Sequence, residues 1–241
     1  MASRKSNRRK LVLFICEGPT DENALYTIMK SFFNPSEVKF HIVHGDFFLS
    51  AIDEDHDPEE AINEIVQSEI RKYGLRRSDI LAVFHCSDTD GAFIPNENII
   101  VDPEAKKIQY EEDGIHTRFP DSIICRNRKK RKNMNILSNM TSIGEDIPYR
   151  IYYFSHNIEH ALYGKHQHMS DHQKTSMSDD FADRFEDNWR DFYSYLLTDC
   201  GPLGKNYHES WVEIRKGNES VRRHTNLNLL FEEFGYTVFM E

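Results

Sequence analysis

The chain has 241 residues and a net charge of −10, with 39% apolar, 12% aromatic and 29% charged residues. Its 16 Phe and 11 Tyr are too much apolar area to leave in water, which excludes a disordered chain; 11 Gly and 8 Pro exclude collagen-like and low-complexity sequence. At roughly 100–200 residues per domain, one large domain or one domain with an appendage is expected.

Residues 1–9 form a basic tail, with Arg4, Lys5, Arg8 and Arg9 ahead of the apolar run 11–16. That run is too short for a signal-peptide core and Glu17 follows it directly, so a flexible tail on a cytoplasmic protein is expected. It is also the longest uninterrupted apolar run, so no membrane span is expected. The four cysteines, Cys16, Cys86, Cys125 and Cys200, form no C-x-x-C and fit reduced thiols.

Residues 10–16 predict a buried strand ended by Glu17-Gly18-Pro19. Thr20 is the expected N-cap of a helix reaching residue 33, where Asn34-Pro35 stops it. The alternation of Val38, Phe40 and Ile42 predicts a second strand, followed by an acidic loop over 44–57. Pro58 opens a helix that Gly74 closes. Residues 79–86, apolar almost throughout, predict a third strand of the parallel kind. Turn chemistry fills 87–112, with a hairpin expected between arms 99–101 and 107–110. Residues 121–140 read as helical through a basic run, 149–154 as a fourth strand and 157–163 as a short helix. A histidine-rich polar stretch then reaches residue 176. Phe181, Phe185, Trp189, Phe192 and Leu196 predict one amphipathic helix over 178–197 packed against the core; further helices are expected over 208–215 and 220–234.

The element order predicts an α/β fold: a Rossmann-like, mostly parallel sheet of about four strands flanked by helices with right-handed crossovers. The expected organisation is the tail 1–9, an α/β domain 10–165 with an insertion at about 91–148, and a helical C-terminal extension 166–241.

In open parallel sheets, ligands collect at the carboxyl ends of the strands. Here those ends carry acids. The first strand runs into Glu17-Gly18-Pro19-Thr20-Asp21, the third into Ser87-Asp88-Thr89-Asp90-Gly91, and the fourth into His156-Asn157-Ile158-Glu159-His160. Like charges brought into one cleft raise each other's pKa and call for a cation; carboxylate and water ligands suit Mg2+ or Mn2+. Gly18 and Gly91 are read as permitting tight turns. Six of the seven residues over 126–132 are cationic: Arg126, Arg128, Lys129, Lys130, Arg131 and Lys132. Such a strip can position a nucleic-acid backbone without reading its sequence, or it can be a solvated helix face.

These residues resemble the TOPRIM domain of topoisomerases, primases and OLD-family nucleases. The form Glu17-Gly18-Pro19-Thr20-Asp21 is most similar to the OLD branch and to RloB-like bacterial defence proteins. The resemblance covers residues 10–165 and implies a TOPRIM-like fold and a metal-dependent nuclease acting on DNA or RNA phosphodiesters in antiviral defence. It implies Glu17 as general acid/base or metal ligand, Asp88 and Asp90 as magnesium ligands, and Asp21 with Glu159 completing a second metal position. OLD nucleases carry an ATPase module that this chain does not show, so a separate ATPase or defence-system partner is implied.

Three other readings compete. A non-catalytic binding or partner module would keep the fold without turnover. In an aspartate-nucleophile phosphatase of the haloacid-dehalogenase type, Asp88 would be the nucleophile and Asp90 the acid. In a zinc peptidase, His156 and His160 of the H-x-x-E-H pattern would share a helix face, with His166, His168 and His172 near by.

Overall fold

The computed structural model describes residues 10–34, 36–44, 46–50, 57–165 and 169–238. The basic tail, half of the acidic loop, His166 and His168 lie outside them.

Four parallel strands and one antiparallel edge strand form the central sheet. They are β1 (Leu11–Cys16), β2 (Glu37–Ile42), β3 (Ile80–Asp88), β8 (Ile147–Phe154) and the edge β7 (Ser142–Ile143), in the order β2-β1-β3-β8-β7. Because side chains alternate along a strand, β1 and β3 split their apolar residues between two cores. Val12, Phe14, Phe84 and Cys86 face one layer of helices. Leu13, Ile15, Ile80 and Val83 face the other. The first layer contains α1 (Pro19–Phe32), α5 (Ile158–Tyr163), α6 (Asp171–Arg184), α7 (Trp189–Asp199) and α9 (Asn228–Val238). The second contains α2 (Phe47–Ser50), α3 (Pro58–Tyr73), α4 (Pro120–Asn139) and α8 (Tyr207–Glu213). The fold is therefore α/β, with a mixed, mostly parallel sheet between helices. Among the described residues no helix is long and apolar enough to cross a membrane. All four cysteines are free.

Several elements depart from the sequence expectations. The N-cap of α1 is Gly18, not Thr20: Pro19 takes the first helical position and Asp21 reaches back to the Gly18 N–H at 3.0 Å. The expected helix over 178–197 is two helices broken at 185–188, where Asp187 has φ 53°. Phe181, Phe185, Phe192 and Leu196 nonetheless all enter the core. The expected hairpin is not formed. β4 (Ile99–Val101) and β5 (Gln109–Glu111) both pair with β6 (Gly114–Thr117), the first parallel and the second antiparallel, giving a small separate sheet. Residues 222–227 are not helical; Thr225 bridges Phe154 at the end of β8.

Candidate active site

The parallel register sets Ile15 of β1 opposite His85 of β3, which brings Glu17 beside Ser87. Ser87 Oγ donates to Glu17 Oε1 at 2.7 Å, and the Asp88 N–H donates to the same oxygen at 3.2 Å. On its other side β3 pairs with β8, setting Asp88 opposite Phe154. The loops that follow these two strands are joined. The Thr89 N–H donates to Phe154 O at 2.9 Å, the Asp90 N–H to His156 O at 2.8 Å, and the His156 N–H to Thr89 Oγ1 at 2.9 Å. Asp90 and Gly91 both take left-handed backbone, φ 47° and 64°. At Gly91 this freedom is required, since a Cβ there would stand 2.7 Å from Val221 Cγ1 and 3.0 Å from Ile115 Cδ1. Gly18 is extended, with φ −137°, and a Cβ would meet nothing closer than 3.7 Å, so its turn does not depend on glycine.

The structure thus gathers the acids of three strand ends around Asp88, whose carboxyl is pushed well above its ordinary range. Burial is the main cause; Glu17, Asp21, Asp90 and Glu159 add to it. Among the described residues its carboxylate accepts no hydrogen bond. Burial likewise raises Glu17 to about 8, with Asp90 and Asp46 adding and Lys130 opposing. Asp21 rises to about 7 through burial and the nearby Glu159, against the Gly18 N–H and Lys174. Asp90 differs: burial would raise it, but Lys130 and Arg126 outweigh burial and hold it below the usual range.

The basic run behaves differently from the expected strip. Its helix α4 buries Ile123, Asn127, Lys130, Met134 and Leu137, an i, i+4, i+7 stripe, and Lys130 lies on that inward face. Its side chain has 0% exposure, and its ammonium sits 2.8 Å from Asp46 Oδ2 and 2.6 Å from Asp90 Oδ2. Lys130 is therefore a counter-ion of the acidic cleft, not a contact for an external phosphate. Arg126 also turns inward, donating to Asp90 O at 2.7 Å and to the Tyr110 hydroxyl at 2.9 Å. Arg128 and Lys132 are exposed; Lys129 and Arg131 are half-buried. On the far side of the cluster, Lys174 of α6 contacts Glu159 Oε1 at 2.6 Å. Lys174 and Asp46 carried no signal in the sequence that marked them as parts of this cleft.

Oxygen donors of this kind suit Mg2+ or Mn2+, and the half-buried Asp88 carboxylate, which accepts no hydrogen bond among the described residues, fits a cation. The carboxylates are gathered without being set out as a coordination shell: among the described residues no three His, Cys, Asp or Glu side chains are placed to hold one ion together.

The geometry also bears on two competing readings. His156 has φ 58° and precedes α5, so it is not an i, i+4 partner of His160 within one helix, although the two rings lie 5.6 Å apart; its ring stacks on Tyr110 at 3.8 Å between centroids. This removes the i, i+4 arrangement a zinc-peptidase helix needs. His172 is exposed on α6. An aspartate-nucleophile phosphatase would use Asp90 as proton donor, and Lys130 and Arg126 keep that carboxyl ionised. Comparison with protein-family models, with curated proteins and with solved structures finds no match for this chain.

Proposed function

We propose that this protein is a TOPRIM-like, divalent-metal-dependent nuclease that hydrolyses nucleic-acid phosphodiesters, acting in the cytoplasm as a defence effector with a separate ATPase or defence-system partner. The observation that carries the reading is the convergence of Glu17, Asp21, Asp90 and Glu159, from three strand ends, on the half-buried Asp88. Asp88 and Asp90 would hold Mg2+ or Mn2+, with Glu17, Asp21 and Glu159 around them. A bound divalent ion would neutralise phosphate charge and lower the pKa of an attacking water.

The chain's own groups supply the rest. Glu17, raised to about 8 by burial, is placed to exchange a proton near neutral pH. Ser87 and the Asp88 N–H fix which Glu17 oxygen stays bonded. Lys130 keeps Asp90 ionised and therefore able to ligate.

The lysine-closed cleft favours one second reading, a binding module of the same fold without turnover. Labelled DNA and RNA incubated with Mg2+ or Mn2+ separate the two. Metal-dependent cleavage that Asp88→Asn lowers at least a hundredfold is expected. No cleavage by the wild type, or equal cleavage by the variant, refutes the nuclease reading.

A further inference from the structure

A cavity of about 780 Å³ opens beside the acidic cluster. One wall is the segment around β5, including Lys106, Lys107 and Tyr110; the other is His156, Glu159 and Lys174. It shares Glu159 and Lys174 with the cluster itself, and Tyr110 connects to the Asp90 backbone through Arg126. The cavity therefore meets the edge of the cluster at Glu159.

Its walls divide by chemistry. Lys106 and Lys107 are exposed and make no ion pair among the described residues, and the exposed Glu104 and Glu111 line the same cavity beside them. Deeper in, Tyr110 and His156 form a stacked aromatic pair, and Ile108, 40% exposed, adds apolar surface. Two exposed ammoniums beside an aromatic and aliphatic wall match a strand whose phosphates run along one side and whose bases meet the other. The volume lies within the roughly 300–1,000 Å³ of ordinary ligand pockets. That is room for unpaired nucleotides and not for a base-paired duplex.

We propose that this cavity binds single-stranded nucleic acid, with Lys106 and Lys107 on its phosphates, and leads the strand to Asp88. The proposal rests on the nuclease reading for its direction toward Asp88, while its binding claim stands separately. DNA and RNA strands are both arms of the test.

Fluorescence anisotropy would follow short labelled oligothymidylate, oligouridylate and a duplex control. Ca2+ would be present to restrain hydrolysis, and salt would be varied. Each lysine–phosphate contact in a single strand contributes about 0.7 to the slope of log affinity against log salt. Lys106→Gln/Lys107→Gln should therefore flatten the slope by about 1.4 and weaken single-strand binding about tenfold near physiological salt. The duplex should bind more weakly and respond less. Wild type that does not bind single strands, a double variant that binds them with unchanged slope, or a duplex that binds more tightly each overturns the proposal.

Cleavage measured in parallel separates the two ideas. Metal-dependent cleavage with an unchanged KM in the double variant sinks the cavity and leaves the nuclease. Binding lost in the variant without any cleavage by the wild type keeps the cavity and sinks the nuclease.

Discussion

Replacing Lys130 by Met tests the centre of the site, because it removes the ammonium and keeps most of the volume. Lys130 is fully buried between two carboxylates, at 2.6 and 2.8 Å, whose own side chains are 26% and 16% exposed. Removing one partner of a buried ion pair costs about 3–5 kcal/mol, mostly from the charge left behind. Partial solvent access at Asp46 and Asp90 puts this case at the lower end, about 3 kcal/mol. For a chain of this size that is a fall in Tm of about 6–12 °C.

The pH dependence has a definite sign. Asp90 is held below its ordinary value, so its contribution is present above the unfolded carboxylate value of about 3.9 and is lost as pH falls through the folded value. The gap between wild type and Lys130→Met should thus be full at pH 7 and narrow below about pH 4. Urea melts across this range would measure it, with Asp46→Asn/Asp90→Asn as a second background. In that background the stranded charge is the buried ammonium itself, so Lys130→Met should cost nothing or stabilise. An equal loss in both backgrounds, or a loss under about 1 kcal/mol in the wild type at pH 7, would refute the clamp.

Two further predictions concern the same cleft. Glu17 and Asp21 are raised to about 8 and about 7 by burial, so between about pH 4 and these values the folded state holds protons that the unfolded state has released. Their contribution is present below pH 4 and is lost as pH rises to 8. Metal-free Tm should fall more between pH 5 and 8.5 in the wild type than in Glu17→Gln/Asp21→Asn, with Mg2+ or Mn2+ recovering most at the alkaline end; parallel curves for the two proteins would refute this. Gly91→Ala should cost about 2–4 kcal/mol in denaturant melts, from a left-handed alanine and contacts as short as 2.7 Å. Gly74→Ala, at φ 61° with nothing within 4 Å, should cost only about 1, and equal costs would show that the crowding is relieved.

Much of the fold was legible because its core strands are simple. Leu11–Cys16 and Ile80–Asp88 are buried on both faces, so a continuous apolar run was enough to place them. Short elements carried no such pattern. Three residues do not record whether Ile99–Val101 pairs with Gln109–Glu111 or with the later Gly114–Thr117, and a two-residue edge such as Ser142–Ile143 records nothing. The break at Asp187 was hidden for another reason. The aromatic spacing runs across it in register, because both helices bury their rings in the same core.

The site was legible on its acidic side and opaque on its basic side, and one cause explains both. Acids that directly follow strands inherit their position from the sheet, so finding the strands located Glu17 and Asp88. A counter-ion can come from any element that packs over the strand ends. Lys130 comes from a helix in the insertion and Lys174 from one beyond residue 165. Within the basic run, Lys130 is chemically indistinguishable from its neighbours. What sets it apart is its spacing from Ile123, Asn127, Met134 and Leu137, a periodicity that six charges in seven residues conceal. A cluster of carboxylates predicts only that positive charge must neutralise it. An ammonium held by the fold and a divalent ion taken from solution meet that demand equally well, and the acids read the same in sequence whichever one answers it.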